Sequence, residues 1–137
     1  MKILCMSKSK KDIGDKLENG TRLCILHLIK LYLYPNAIER NHWRKEVAEK
    51  LNYVDTLKGS HKYPSEKFIL DNTWNVHKKY LQYDVETILE DYTYAEVDIE
   101  ALNCAIENYF NWLSEMLSKF GRVGYGAIYR KLDELGF

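Results

Sequence analysis

The chain predicts an all-α fold, a single-domain bundle of about five to six helices joined by short loops. Three observations carry that expectation. Apolar residues recur at steps of three and four along most of the chain, the spacing that gathers them on one face of a helix. No stretch alternates with period two, and no Asn-Gly or Asp-Gly turn joins two strand-like runs. Helix-starting and helix-ending residues punctuate the periodic segments. The chain has 137 residues, 46% of them apolar and 29% charged. That is enough for one self-supporting core and is unlike the composition of disordered chains.

Met1 to Lys11 is basic and is expected to be loose; a short strand at Ile3 to Met6 would have no partner. A brief helix over Asp12 to Glu18 is expected to break at Asn19-Gly20. Thr21 then caps a helix running to Tyr34. Apolar residues from Leu23 to Leu33 cover nearly all its faces, which marks a central buried helix. Leucine dominance and length favour helix over a buried strand. Pro35 stops it.

Asn36 with Glu39 resembles a capping box, and Trp43, Val47 and Leu51 form the next apolar stripe. Gly59 to Pro64 reads as a loop. Ser65-Glu66 opens a third helix with the seam Ile69, Thr73, Val76, Tyr80 and Tyr83, flanked by Phe68 and Trp74. Asp84 is expected to cap a fourth, with Val85, Ile88, Leu89 and Tyr92 on its apolar side. Asp98 caps a fifth. There Leu102, Ile106, Tyr109, Leu113, Met116 and Phe120 alternate steps of four and three, and Gly121 supplies a left-handed end. A last helix spans Tyr125 to Leu135. Gly121-Arg-Val-Gly124-Tyr-Gly126 reads as a helix end followed by a hinge, not as a phosphate loop.

Cys5, Cys24 and Cys104 are odd in number and widely spaced, so no disulfide framework is expected. Cys24 and Cys104 fall in apolar helical patterns and read as reduced core residues. Neither cysteine has a histidine at metal-ligand spacing, and His42, His61 and His77 share none with one another. No metal or cofactor is expected. No signal-peptide pattern is present. The longest apolar stretch, Leu23 to Tyr34, is too short to span a bilayer and contains His27 and Lys30. The expected location is cytoplasmic, with no membrane partner.

Charge is the most unusual feature. The net charge is zero, yet residues 1–64 carry 13 Lys and Arg against 7 Asp and Glu, and residues 65–137 carry 7 against 13. No Lys or Arg occurs from Tyr80 through Ser118. Asp84, Glu86, Glu90, Asp91, Glu96 and Asp98 fall in that stretch, interleaved with Tyr92 and Tyr94. One reading is intramolecular, with the acidic half folding against the basic half. The functional reading is a docking surface: carboxylates steer a basic partner and aromatic rings anchor it. The partner-binding residues would be Asp84, Glu86, Glu90, Asp91, Tyr92, Tyr94, Glu96 and Asp98, and the partner a basic protein of the nuclease or toxin type. The protein would then be a small, non-enzymatic inhibitor, an immunity protein or antitoxin. Nucleic acid could instead bind the basic half, where Lys8, Lys10, Lys11, Arg40, Arg44 and Lys45 are available.

Arg22-Leu-Cys-Ile-Leu-His27 resembles the Arg-x4–6-His signature of the HEPN ribonucleases. That resemblance implies an Arg and a His that activate the ribose hydroxyl and stabilise the phosphate, in a site built by a homodimer. Five residues also set the two side chains ~140° apart on a helix, and His27 alternatively reads as a core histidine. A longer pattern runs His27-Leu-Ile-Lys-Leu-Tyr-Leu-Tyr-Pro35, then Arg40, Trp43 and Pro64-Ser65-Glu66-Lys67. Over about residues 21–80 it resembles the bacterial helical domain-of-unknown-function family twenty-nine. The resemblance implies an all-helical protein of bacterial or phage type, and no particular activity.

Overall fold

The computed structural model describes residues 10–50, 73–120 and 123–137, with side chains from residue 18 onward. Among these residues the regular structure is entirely helical. The five helices are α1 (Lys10–Leu33), α2 (Arg40–Glu49), α3 (Leu81–Asp91), α4 (Ile99–Phe120) and α5 (Tyr125–Leu135). Residues 73–77 are also helical and pass through a 3-10 turn, Lys78–Tyr80, into α3. The all-α bundle predicted from periodicity is therefore what forms. Expectations about Ile3 to Met6, Leu51, the Gly59 to Pro64 loop, Ser65 to Ile69 and Gly121 lie outside the described residues.

Helix α1 is the hub. It packs against α2, α3 and α4, while α5 closes onto α2 and α4. Cys24, Ile25, Leu28, Ile29 and Leu31 of α1 are fully buried, and they meet Trp43 and Val47 of α2 and Leu102, Ile106 and Tyr109 of α4 in one continuous core. Leu23 is 40% exposed, so α1 is not buried all round. Pro35 follows its end as expected.

The break expected at Asn19-Gly20 does not occur. Helix α1 runs through it, and Thr21 is a buried mid-helix residue, not a cap. Glycine in a helix interior costs about 1 kcal/mol, which the apolar face downstream outweighs by burial. Asn36 makes no capping box either. Helix α2 starts one turn later, with Glu39 as its N-cap and no side-chain capping bond. The connecting turn is closed by backbone bonds, Ala37 N–H to Tyr34 O at 3.1 Å and Arg40 N–H to Ala37 O at 3.1 Å. Asp98, by contrast, caps as expected: its carboxylate accepts the Ala101 N–H at 3.0 Å.

Two seams are shifted. Val76, Tyr80 and Tyr83 point outward; Thr73, Val85 and Ile88 are buried as expected, and Trp74, Leu81 and Asp84 complete the stripe. This buried stripe contains Asp84, which hydropathy assigns to the surface, so the tyrosines looked like the better core face. Asp84 accordingly lies inside α3 and caps nothing. In α4 the buried stripe leaves Met116 and the exposed Phe120 for Phe110 and Leu117. A straight helix drifts ~20° per heptad from a strict four-three alternation, and that drift moves the stripe. Cys104 is exposed on α4, not in the core, whereas Cys24 is buried.

Helices α2 and α5 are clasped by two arginines one turn apart. The Arg44 guanidinium donates to Tyr129 O at 2.8 Å and to the Asp133 carboxylate at 2.7 Å. Arg40 donates to Phe137 O at 3.1 Å. Helix α5 ends on Gly136 at φ 87°, with Phe137 N–H bonding Leu132 O at 2.8 Å and Gly136 N–H bonding Asp133 O at 3.2 Å, a Schellman end.

Candidate functional site

The turn between α1 and α2 and the extended segment after α3 meet at one side of the bundle. Tyr34, at the end of α1, donates its hydroxyl to Thr93 O at 2.6 Å, which pins the two segments together. The Tyr34 ring lies 5.3 Å from that of Tyr92, and Trp43 of α2 meets Tyr92 edge-on at 6.1 Å. The Lys30 ammonium sits 5.5 Å from the Tyr92 ring centre and 5.9 Å from that of Trp43. Between the segments is an open cleft of about 490 Å³, lined by Tyr34, Pro35, Glu39, Trp43, Tyr92 and Tyr94 among others. Burial, with the neighbouring Tyr92, pushes the Tyr34 hydroxyl pKa up, so that hydroxyl stays a donor.

Seven of the eight predicted docking residues are exposed, and of these Tyr92 and Tyr94 line this cleft. Glu86, Glu90, Asp91, Tyr92, Tyr94, Glu96 and Asp98 are exposed, Tyr94 the most at 78% among the large side chains of the segment. Asp84 is the exception. Its carboxylate is turned inward and lies 3.7 Å from the Arg22 guanidinium.

Part of the charge asymmetry is resolved inside the molecule. Arg22 pairs with Asp84, Lys78 with Glu107 at 3.7 Å, and Arg44 with Asp133. Among the described residues, Glu86, Glu90, Asp91 and Glu96 pair with no cation. Glu86 only accepts from its neighbour Gln82, at 3.1 Å. Glu90 and Asp91 close α3, whose last turn has no basic residue. Carboxylates there face the negative pole of the helix, a mildly unfavourable placement. Helix formation does not account for them.

The Arg22–His27 pattern is pulled apart by the fold. Arg22 reaches toward α3, with Nη1 3.4 Å from His77 Nδ1 and Nη2 3.7 Å from Asp84. His27 faces α2, where Glu46, Lys50 and His42 act on it. Burial, then Lys30, lowers its pKa, and its buried Nδ1 has no hydrogen bond among the described residues. The chain instead assembles Arg22, His77, Asp84 and Glu18, whose carboxylate is 3.8 Å from His77 Nε2. Burial raises the Asp84 pKa against the opposing pull of Arg22 and His77. Sequence reasoning missed this cluster; the signal was His77 and Asp84 seven apart in register with Trp74 and Leu81.

Among the described residues no group of His, Cys, Asp and Glu has the arrangement of a metal site. No described helix is long and apolar enough to cross a membrane. No family model matches the chain, and no curated protein or solved structure matches it.

Proposed function

We propose that this protein is a non-enzymatic interaction module, an inhibitor of the immunity-protein or antitoxin type, that docks a basic partner through the face carrying Glu86, Glu90, Asp91, Tyr92, Tyr94, Glu96 and Asp98. The observation that carries this reading is the pairing of two features on one stretch of chain. Glu86, Glu90, Asp91 and Glu96, which have no cation partner among the described residues, flank in sequence the Tyr92–Tyr94 wall of an open aromatic cleft. Unpaired surface carboxylates speed encounter with a basic protein and disfavour other partners. Tyrosine and tryptophan rings supply the apolar area that holds it. The carboxylates would stand in for phosphate against Lys or Arg of a nuclease-type partner.

The test is affinity purification of the tagged protein from its native cells with nuclease treatment, followed by mass spectrometry. A single stoichiometric basic protein is expected. The triple variant E86K/E90K/D91K is expected to weaken that complex about tenfold or more, and added salt to weaken the wild-type complex. A complex that survives the triple variant unchanged overturns the proposal, as does recovery of nucleic acid alone.

A further inference from the structure

We infer that the cleft between Tyr34, Trp43, Tyr92 and Tyr94 receives one arginine side chain of the docked partner, with Glu39 as its carboxylate. This rests on the docking reading above and adds what that reading lacks, a specific socket and a preference between the two cations. The cleft's volume, about 490 Å³, is within the usual range for small-ligand sites. Its walls are aromatic on both segments, and the Tyr34–Thr93 hydrogen bond sets them before any partner arrives. A preformed wall spares the ordering cost of binding.

Electrostatics select a cation. The Trp43 and Tyr92 rings already hold a cation of this chain, Lys30, at 5.9 and 5.5 Å, so their faces are turned to positive charge. Lys30 repels either cation, so the choice between them rests on shape and hydration. A guanidinium spreads its charge over a plane, is more weakly hydrated, and stacks on rings while its edge pairs with a carboxylate. Glu39 supplies that carboxylate: it lines the cleft, is exposed, and as N-cap of α2 makes no capping bond of its own. The segment that forms the other wall carries Glu90, Asp91 and Glu96 nearby in sequence and no Lys or Arg. Among the described residues no cation other than Lys30 is placed against these rings to receive a phosphate, and the Glu39 carboxylate repels one.

The experiment is calorimetric titration of the protein with three blocked synthetic peptides: hepta-arginine, hepta-lysine and hepta-proline. Wild type is expected to bind hepta-arginine about fivefold more tightly than hepta-lysine, the scale of one ring–guanidinium contact. Tyr94→Ala and Glu39→Gln, both at exposed positions, should each lower the arginine affinity toward the lysine value, Tyr94→Ala leaving hepta-lysine unchanged and Glu39→Gln weakening it less than hepta-arginine. The variant E86K/E90K/D91K should weaken both cationic peptides alike. Equal affinity for the two cations, or an arginine preference that neither single substitution touches, overturns the socket; if the triple variant still weakens both, the docking face stands without it. Tighter binding of hepta-proline than of hepta-arginine assigns the cleft to an apolar ligand and likewise overturns it. Failure of both cationic peptides to bind overturns the socket and the docking reading together.

Discussion

Asp84 holds its carboxylate 3.7 Å from the Arg22 guanidinium, on the inner side of α3, with its own side chain 5% exposed and that of Arg22 42% exposed. The pair is lopsided: the acid has lost its water and the base has kept much of it. Burial raises the Asp84 pKa from its usual 3.8, and Arg22 and His77 only partly restore it. A carboxyl whose folded pKa lies above its unfolded one favours folding most when protonated, below its unfolded pKa. That contribution is lost as pH rises through the folded value. Asp84→Asn is therefore expected to melt higher than wild type at pH 7 by about 4 °C, on the order of 1 kcal/mol. The two should converge near pH 4 and below. Arg22→Ala should melt lower at pH 7, since it leaves the buried charge without its main offset. Thermal melts across that range decide it, and a lower melting point for the amide at pH 7 would show that the pair stabilises the fold outright.

His27 tests the opposite sign. Its pKa is lowered by burial first, then by Lys30, with Lys50 and His42 adding to the effect and Glu46 opposing it. A base with a depressed folded pKa contributes stability above its unfolded value, near 6.5, and loses it as pH falls. Wild type should lose stability between pH 7 and 5, and His27→Gln should lose less over the same interval. Glu46, whose pKa is lowered chiefly by its bond to Lys50, acts only in the more acid carboxylate range. Denaturation at pH 7, 6 and 5 separates the two windows; parallel losses in both proteins would remove His27 from the account.

What could be read from the sequence depended on how local each cause is. Helix α4 was legible because its periodicity is strong and Asp98 stands at a true chain entry, where an aspartate can turn its oxygen to the free N–H groups. Thr21 and Asp84 carry the same capping chemistry, but a cap needs non-helical backbone at that position, and tertiary packing withheld it; Asn36 does lie in a turn, but α2 begins only after Glu39, beyond its reach. The exposure of Glu86, Glu90, Asp91, Glu96 and Asp98 was legible because a charged side chain keeps its water unless a partner replaces it, as Arg22 does for Asp84. The cleft was not, because Tyr34 and Trp43 come from α1 and α2 and join Tyr92 and Tyr94 only once the bundle forms. The tyrosines of the third seam misled for a related reason: a phenol ring looks apolar in a pattern, whereas the buried positions went to Asp84 and its neighbours, held by Arg22 of another helix.

Gly136 and Gly124 flank the same helix with different backbone demands. Gly136 is at φ 87° and Gly124 at φ −71°, and a Cβ at either would meet nothing within 4 Å. Any cost of adding a methyl group is therefore conformational. Gly136→Ala should destabilise by about 1 kcal/mol, because the left-handed region penalises every Cβ. Gly124→Ala should change stability by only about 0.5 kcal/mol in either direction, because alanine adopts its φ freely and loses less entropy on folding. Urea titration of the two variants checks the contrast, and equal effects would mean that the helix end relaxes away from its Schellman geometry.

Tyr109 offers a prediction from the middle of the core. Its side chain is fully buried, with the ring 5.5 Å from Phe110 edge-on and 6.0 Å from Trp112. Its hydroxyl finds no hydrogen-bond partner among the described residues, and burial holds its pKa well above the usual value, with the Cys24 thiol adding to the effect. A phenol stripped of water and given no acceptor costs about 1–3 kcal/mol. Tyr109→Phe removes that cost and keeps the ring contacts, at the expense of a void the size of one oxygen. The expected result is a gain of about 1 kcal/mol with an unchanged urea slope, which marks a change in stability rather than in compactness. Tyr109→Ala should lose about 3–5 kcal/mol, because the ring and its packing go together. A less stable phenylalanine variant would mean that the hydroxyl is bonded in solution, and the acceptor should then be sought around Cys24, the polar neighbour that acts on it.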